Sequence, residues 1–208
     1  MCSSDLVIAM DPSTVKAPFD PLKGFGETGV LLFNSALLTA DEKNQIVNDV
    51  ATGYEVSPDG LVWTFKIRTD IKFTDGTSLT AEDVAFTYNQ AKEAAKVSLP
   101  GFDTAVATGT DTVEIRLTAA SSTLLYTAAT LGIVPKSTYS DGFGDNPVGS
   151  GPWKFGHYTQ GQQLILERND DYHGTKAKFA KATLLLMESD AALAAARSEE
   201  HTSELQSR

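Results

Sequence analysis

Apolar and polar side chains alternate most clearly over residues 61–67. The apolar members of this run occupy every second position: Leu61, Trp63, Phe65 and Ile67. A period of two is typical of a strand with one buried face. Residues 57–60 read Ser-Pro-Asp-Gly, which favours a tight turn because Pro presets φ and Gly accepts a positive φ. The pattern therefore predicts a β-hairpin with residues 54–56 as the partner strand.

A helix is predicted to begin at Thr80, after a second turn at residues 75–76. Thr80 occupies the N-cap position and Asp83 follows three residues later, which is the spacing of a capping box. Glu82 adds negative charge at the positive end of the helix dipole. The apolar positions that follow have helical spacing: Val84, Tyr88, Ala91 and Ala95. This stretch therefore predicts a helix with one buried face.

The other segments predict further strands and helices. Strands are expected over residues 7–10, 112–117, 153–155, 164–167 and 183–187. The last of these runs is apolar enough to be a strand buried on both faces. Helices are expected over residues 30–38, 121–130 and 189–196. Together these elements predict a mixed α/β fold.

Composition places the chain among globular proteins that form a hydrophobic core. Hydrophobic residues make up 41% of its 208 residues and charged residues 21%. The net charge of −10 argues against nucleic acid and anionic membrane surfaces as partners. No apolar run reaches the roughly 20 residues that a transmembrane helix needs.

The two ends of the chain resemble translated sequencing-adapter DNA. Residues 1–6 read MCSSDL and residues 197–208 read RSEEHTSELQSR. We therefore expect both ends to be non-native, which leaves residues 7–196 for fold reasoning. Cys2, the single cysteine, then gives no support to a lipoprotein anchor, and the native part of the chain has no cysteine.

Motifs for chemistry are weak in this chain. Residues 24–29 match G-x-G-x-x-G, but no strand precedes them, so a flexible loop is favoured over a dinucleotide site. His157 and His173 lack the spacing of metal ligands. Asp141 and Asp145 fall in a loop that lacks the ligand pattern of a calcium site. The sequence therefore predicts no catalytic residue, no metal site and no cofactor.

Three separated stretches of the chain carry recognisable motifs. The first is YEVSPDGLVWTFKIR at residues 54–68, continued by IKFTDGTSLTAEDVAFTY at residues 71–88. The second is NPVGSGPWKF at residues 146–155, and the third is LILERNDDY at residues 164–172. In this order, the stretches resemble the extracellular solute-binding proteins, family 5, of ABC importers, and the resemblance extends over nearly all of residues 7–196. The family usually has NPVGTGPYKF at the second stretch, so Ser150 and Trp153 depart mildly from it.

The resemblance implies a periplasmic-binding-protein type II (cluster C-like) two-lobe fold, of which only the N-terminal part is present. It implies that residues 7–45 form the first segment of one lobe. Residues 46–148 then form an inserted smaller β/α domain, and residues 149–196 return to the first lobe. The chain is therefore expected to be a truncated fragment without the opposing lobe.

The resemblance also implies a function in transport and no enzymatic activity. Family members capture a solute outside the cytoplasm and deliver it to the membrane permease of an ABC importer. An oligopeptide is the expected ligand, with nickel complexes and oligosaccharides as alternatives. A ligand-sensing or enzymatic relative that reuses the fold also stays open. We expect a monomer that is periplasmic, or extracellular and membrane-anchored, without nucleic-acid partners.

Ligand contacts are predicted at two loops. The residues concerned are Lys23, Gly24, Phe25, Gly26, Gly149, Ser150, Gly151 and Trp153. The first loop follows the first predicted strand, where the family's first lobe lines the cleft, and its glycines would let a ligand backbone approach closely. The second loop lies near the predicted return to that lobe. Turn and hinge geometry is the alternative role for both loops.

Overall fold

The computed structural model describes residues 6–10, 35–40, 45–94, 99–160 and 162–186. The strands are β1 (Leu6–Met10), β2 (Leu38–Ala40), β3 (Ile46–Asn48), β4 (Ala51–Val56), β5 (Val62–Ile67), β6 (Phe102–Ala107), β7 (Thr112–Leu117), β8 (Trp153–Thr159), β9 (Gln163–Arg168) and β10 (Lys181–Leu186). The helices are α1 (Ala81–Ala94) and α2 (Leu124–Thr130), with a 3-10 turn at Phe143–Asp145.

The predicted hairpin, β4 and β5, forms one half of a four-stranded antiparallel sheet, which we call the first sheet. Its strand order is β4-β5-β7-β6. Tyr54 pairs with Phe65, and Phe65 pairs with Val113 on the next strand. The alternation predicted over residues 61–67 is seen at its end, where Phe65 and Ile67 are buried and Lys66 is exposed, whereas residues 61–64 are all half-buried. The first sheet therefore presents one apolar face to the core and one polar face to solvent.

Both predicted turns are confirmed by their backbone geometry. Gly60 has a φ of 71° and Gly76 a φ of 87°, values that favour glycine. The Ser57 hydroxyl donates to the Asp59 carboxylate at 2.5 Å, and this bond holds the pKa of Asp59 below its usual range. The same carboxylate accepts the backbone N–H of Leu61 at 3.1 Å. The turn thus delivers the chain into β5 in a fixed register.

Helix α1 begins with the predicted capping box. The Thr80 hydroxyl accepts the Asp83 N–H at 3.4 Å, and the Asp83 carboxylate accepts the Thr80 N–H at 2.9 Å. These two bonds satisfy donors that a helix N-terminus otherwise leaves free. The helix then buries Val84, Tyr88 and Ala91 against the first sheet, as predicted.

Tyr88 places a hydroxyl in the centre of this core. Its side chain is fully buried, and its oxygen has no hydrogen-bond partner among the described residues. Burial raises the pKa of Tyr88 above its ordinary value, so the hydroxyl stays protonated. We expect Tyr88→Phe to raise the free energy of unfolding by about 1 kcal/mol, because it removes an unpaired buried polar group. Urea denaturation followed by tryptophan fluorescence measures this change.

The control for Tyr88 is Tyr126→Phe on helix α2, where the parent side chain is 65% exposed. Removing a solvated hydroxyl should leave the unfolding midpoint unchanged. A loss of more than about 1 kcal/mol in Tyr88→Phe would contradict the prediction, because it would mean that the hydroxyl makes a stabilising bond.

The second sheet has the strand order β1-β10-β9-β8. β1 runs parallel to β10, whereas the other neighbours are antiparallel. Its own small core contains Leu164, Leu166, Ala182 and Leu184. The expectation that residues 183–187 are buried on both faces is wrong for Thr183, since it is only half-buried beside buried neighbours. The strand therefore has one well-buried face.

Some predicted elements differ from the structure. The helix predicted over residues 30–38 is wrong in its described part, because residues 35–37 are not helical and Leu38 begins β2. The side chain of Leu38 instead packs in the core of the first sheet. Strands β2, β3 and β6 were not predicted. Ala95 and the helix predicted over residues 189–196 lie outside the described residues.

Candidate functional site

The segment at residues 149–152 lies where the two sheets meet. Each sheet has its own apolar core, and the two clusters share no described residue. Hydrogen bonds from this segment reach Ser35, Thr74 and Asn169. We call this set of residues, 149–152 with Ser35, Thr74 and Asn169, the junction.

Ser150 accepts two hydrogen bonds from Ser35. The Ser35 N–H donates to the Ser150 hydroxyl oxygen at 3.2 Å, and the Ser35 hydroxyl donates to the Ser150 carbonyl at 3.0 Å. Both residues are buried, with exposed fractions of 3% for Ser35 and 0% for Ser150. The pair therefore joins two segments that lie 115 positions apart in sequence.

The neighbouring glycines are held by equally specific bonds. The Gly149 carbonyl accepts the Thr74 N–H at 2.8 Å, and the Gly149 N–H donates to the Thr74 hydroxyl at 3.3 Å. The side-chain amide of Asn169 donates to the Gly151 carbonyl at 2.8 Å. Most polar groups of the predicted loop are thus used in bonds within the chain. This geometry favours the alternative role, turn and hinge structure, for these glycines.

Four of the eight predicted ligand contacts lie in the described part of the chain. Gly149, Ser150 and Gly151 lie together in the junction, and Trp153 begins β8 next to it. Trp153 is half-buried and packs against the core of the second sheet. The other predicted contacts lie outside the described residues: Lys23, Gly24, Phe25 and Gly26.

A second polar contact between the sheets was missed by sequence reasoning. His173 Nε2 lies 2.7 Å from Asp49 Oδ1, and the side chains are 5% and 13% exposed. His173 follows β9, whereas Asp49 lies between β3 and β4. The two residues are 124 positions apart, and no spacing rule connects them. We call this contact the Asp49–His173 pair.

Charged and aromatic neighbours surround the Asp49–His173 pair. Arg68 donates to both carboxylate oxygens of Asp70, at 2.9 and 2.6 Å. This bond lowers the pKa of Asp70 and raises that of Arg68. Burial raises the pKa of Tyr172, whose ring lies 4.6 Å from that of His173. The Arg68–Asp70 ion pair thus lies near the Asp49–His173 pair and interacts with it electrostatically.

The described part of the chain contains no cluster of three or more His, Cys, Asp or Glu side chains arranged to hold a metal ion. Within that part, no helix is long and apolar enough to cross a bilayer. The bonds of the junction are neutral, and the charged groups near it form pairs with one another. The described site is therefore suited to holding segments of the chain in position.

Comparison with known families gives one match that covers most of the chain. Residues 45–204 match the model described as "Bacterial extracellular solute-binding proteins, family 5 Middle". The matched range includes the first sheet, the junction and strands β8 to β10. It covers the three stretches on which the resemblance was based.

Curated relatives have names that refer to peptide binding. A putative ABC transporter peptide-binding protein of Brucella ovis is 29% identical over 207 residues, covering 91% of this chain and 39% of that protein. The oligopeptide-binding protein AppA of Bacillus subtilis is 32% identical over 154 residues, covering 66% of this chain and 28% of that protein. The chain thus spans about two fifths or less of the length of these relatives.

Solved structures share the fold over nearly the whole chain. The binding protein MoaA of A. tumefaciens R10, in complex with mannopinic acid, gives a TM-score of 0.84 at 27% identity and covers 95% of this chain and 44% of its own. AppA of Bacillus subtilis in complex with a nonapeptide gives 0.77 at 25% identity, covering 88% and 40%. NikZ of Campylobacter jejuni in complex with Ni(L-His) gives 0.86 at 23% identity, covering 97% and 43%. The predicted fold class is confirmed.

Proposed function

The chain belongs to family 5 of the bacterial extracellular solute-binding proteins, and we propose that it is part of the solute-capturing component of an ABC importer. The observation that carries this proposal is the match of residues 45–204 to the family. In this role the protein binds a solute outside the cytoplasm and passes it to the permease subunits in the membrane. It acts by binding, without an enzymatic step, and it works as a monomer.

An oligopeptide is the ligand that we favour. The relatives from Brucella and Bacillus are both named for peptide binding. Nickel complexes and oligosaccharides are the alternative ligands. The nickel complex is supported by NikZ, which binds Ni(L-His) on the same fold. Because fold alone does not choose among these ligands, the choice depends on contacts in the cleft.

The proposed domain map places residues 46–148 in an inserted domain and residues 7–45 and 149–196 in the first lobe. Two separate apolar cores support this division. Pairing of β1 with β10 supports it further, because it joins the beginning of the chain to the return segment in one sheet. Leu37 and Leu38 pack in the larger core, so the chain reaches the inserted domain's core before residue 45.

The proposed ligand contacts are the loops at residues 23–26 and 149–153. For Ser150, complete burial and two bonds to Ser35 favour an indirect role, in which it positions the loop. Trp153 is the described member with surface left for a ligand, because its side chain is half-buried. The protein is proposed to act in the periplasm, or outside the cell while anchored to the membrane.

The first test concerns peptide binding by residues 1–208. We expect dissociation constants weaker than about 1 mM, because clamshell proteins gain affinity by enclosing a ligand between two surfaces. The chain spans only 39% of the length of its Brucella relative, so we expect it to supply only part of the surface that encloses a ligand. Isothermal titration with a mixture of short peptides measures the affinity, and saturation at micromolar concentration would contradict the prediction.

The function itself is tested on the longest reading frame that contains residues 7–196. That protein is purified under native conditions, and its bound molecules are released by denaturation and identified by mass spectrometry. Short peptides would support the proposal, whereas a nickel chelate or a sugar would support one of the alternative ligands. Neighbouring genes for a permease and an ATPase favour transport, and a neighbouring kinase gene would favour sensing.

A further inference from the structure

The two sheets are packed as separate units. The larger core extends from Leu37 to Ile133 and includes the first sheet with helices α1 and α2. The smaller core is built from β8, β9 and β10. Apolar packing holds each unit together, while hydrogen bonds of the junction and of the Asp49–His173 pair connect the units within the described part of the chain. These polar contacts therefore contribute to the orientation of one unit relative to the other.

The chain passes between the two units twice, between β1 and Leu37 and between Val148 and β8. Ser35 lies two residues before Leu37, and Ser150 lies just before β8. Because Ser35 is bonded to Ser150, these two segments form one localised connection between the units. A single localised connection leaves rotation about itself unopposed.

The Asp49–His173 pair supplies a second point of attachment. Asp49 is fixed to the larger unit, because its N–H donates to the Leu37 carbonyl at 3.3 Å. His173 is fixed to the smaller unit through Asn169, which accepts the Tyr172 N–H at 3.3 Å and bonds to Gly151. A contact between these two residues opposes the rotation that the single connection allows.

We propose that the Asp49–His173 pair is a latch that fixes the relative orientation of the two sheets, with the bonded segments at Ser35 and Ser150 as the pivot. Within the described residues, His173 Nδ1 has no partner, so the bond to Asp49 is what directs the buried ring. The pair is almost fully buried, so water competes weakly for the bond. The latch does not depend on which ligand the protein captures.

The test measures the distance between the sheets in the 208-residue chain. Spin labels are placed at Thr110→Cys, in the exposed turn after β6, and at Gln160→Cys, in the exposed turn after β8, in a Cys2→Ser background. Double electron–electron resonance should give one narrow distance distribution for the parent. Asp49→Ala should broaden that distribution at least twofold, while Trp63 and Trp153 report that each core remains folded.

Two further variants separate a latch from general loss of structure. Asp49→Asn keeps an acceptor for the imidazole N–H, so it should restore a narrow distribution. Asp103→Ala removes an exposed carboxylate of the larger unit that pairs with Lys92, away from His173, so it should leave the distribution unchanged. His173→Leu removes the bond from the other side while filling the buried space, and it should broaden the distribution as Asp49→Ala does.

An unchanged distribution in Asp49→Ala and His173→Leu would overturn the proposal. Equal broadening in Asp103→Ala would also overturn it, because the effect would then not belong to the pair. Loss of folding in both Asp49→Ala and His173→Leu would count against it as well, since a latch between independently packed cores leaves each core folded. None of these outcomes depends on ligand binding, so they are distinct from failure of the proposed function.

Discussion

Replacing Asp83 by alanine should lower the free energy of unfolding by about 3 kcal/mol, because its carboxylate holds three hydrogen bonds in a nearly buried position. One oxygen accepts the Thr80 N–H at 2.9 Å and the Thr80 hydroxyl at 2.7 Å. The other oxygen accepts the Lys136 N–H at 2.8 Å. The Asp83 residue is only 8% exposed, so water replaces these acceptors poorly after the substitution.

Glu82 provides the matched control for Asp83. It lies in the same helical turn, and it pairs with Lys136 Nζ at 3.0 Å, but its side chain is 69% exposed. We expect Glu82→Gln to cost less than about 0.5 kcal/mol, because exposed ion pairs contribute little. Asp83→Asn should fall between the two, since the amide keeps one acceptor oxygen. Equal effects of Asp83→Ala and Glu82→Gln in urea denaturation would contradict this account.

Local sequence explains the part of this arrangement that was predicted. Thr80 and Asp83 are three residues apart, and backbone geometry alone brings such residues into a capping box. The bond from Asp83 to Lys136 spans 53 residues, and no local rule anticipates it. The sequence thus predicts where the helix begins, but it does not predict the hydrogen bond between the first turn of the helix and Lys136.

Strand β6 shows why other elements escaped prediction. Its inward positions include Phe102 and Ala105, and the register shifts between Phe102 and Thr104. A bulge breaks the period of two, and alanine gives a weak apolar signal, so the alternation is hidden. Strand β2 was not predicted for another reason. Leu37 and Leu38 also fit the apolar spacing of a short helix, and only their packing in the larger core distinguishes the strand from that helix.

The candidate site was located by resemblance, and its contacts came from the fold. Residues 146–155 matched a family motif, which pointed to the loop that contains Ser150. The partners of that loop, Ser35 and Thr74, lie 115 and 75 positions away and belong to no motif. Long-range partners of this kind depend on tertiary packing, which a single sequence does not display.

Ligand identity is a separate problem from fold. MoaA, AppA and NikZ share the fold of this chain, and they were solved with mannopinic acid, a nonapeptide and Ni(L-His). The same arrangement of sheets therefore accommodates ligands of very different size and charge. Fold alone does not determine which ligand is bound.

The apolar centre of the first sheet leads to the second large prediction. Phe65 has an exposed fraction of 0%, and its ring lies 5.5 Å from that of Tyr54 and 6.5 Å from that of Trp63. It pairs with Val113 across the sheet. Replacing Phe65 by alanine should lower the free energy of unfolding by about 4 kcal/mol, because the lost transfer energy adds to the cost of a cavity. An effect of this size would unfold a domain of low stability at room temperature.

Controls for Phe65 distinguish a cavity from a general loss of aromatic area. Phe65→Leu fills most of the space and should cost about 1 to 1.5 kcal/mol. Tyr126→Ala removes an aromatic ring that is 65% exposed, and it should cost less than about 0.5 kcal/mol. The midpoint of urea denaturation, followed by circular dichroism, ranks the three variants. Equal stability of Phe65→Ala and Tyr126→Ala would contradict the prediction. Phe65 is fully buried whereas Tyr126 is exposed, so only the loss of Phe65 should leave a cavity.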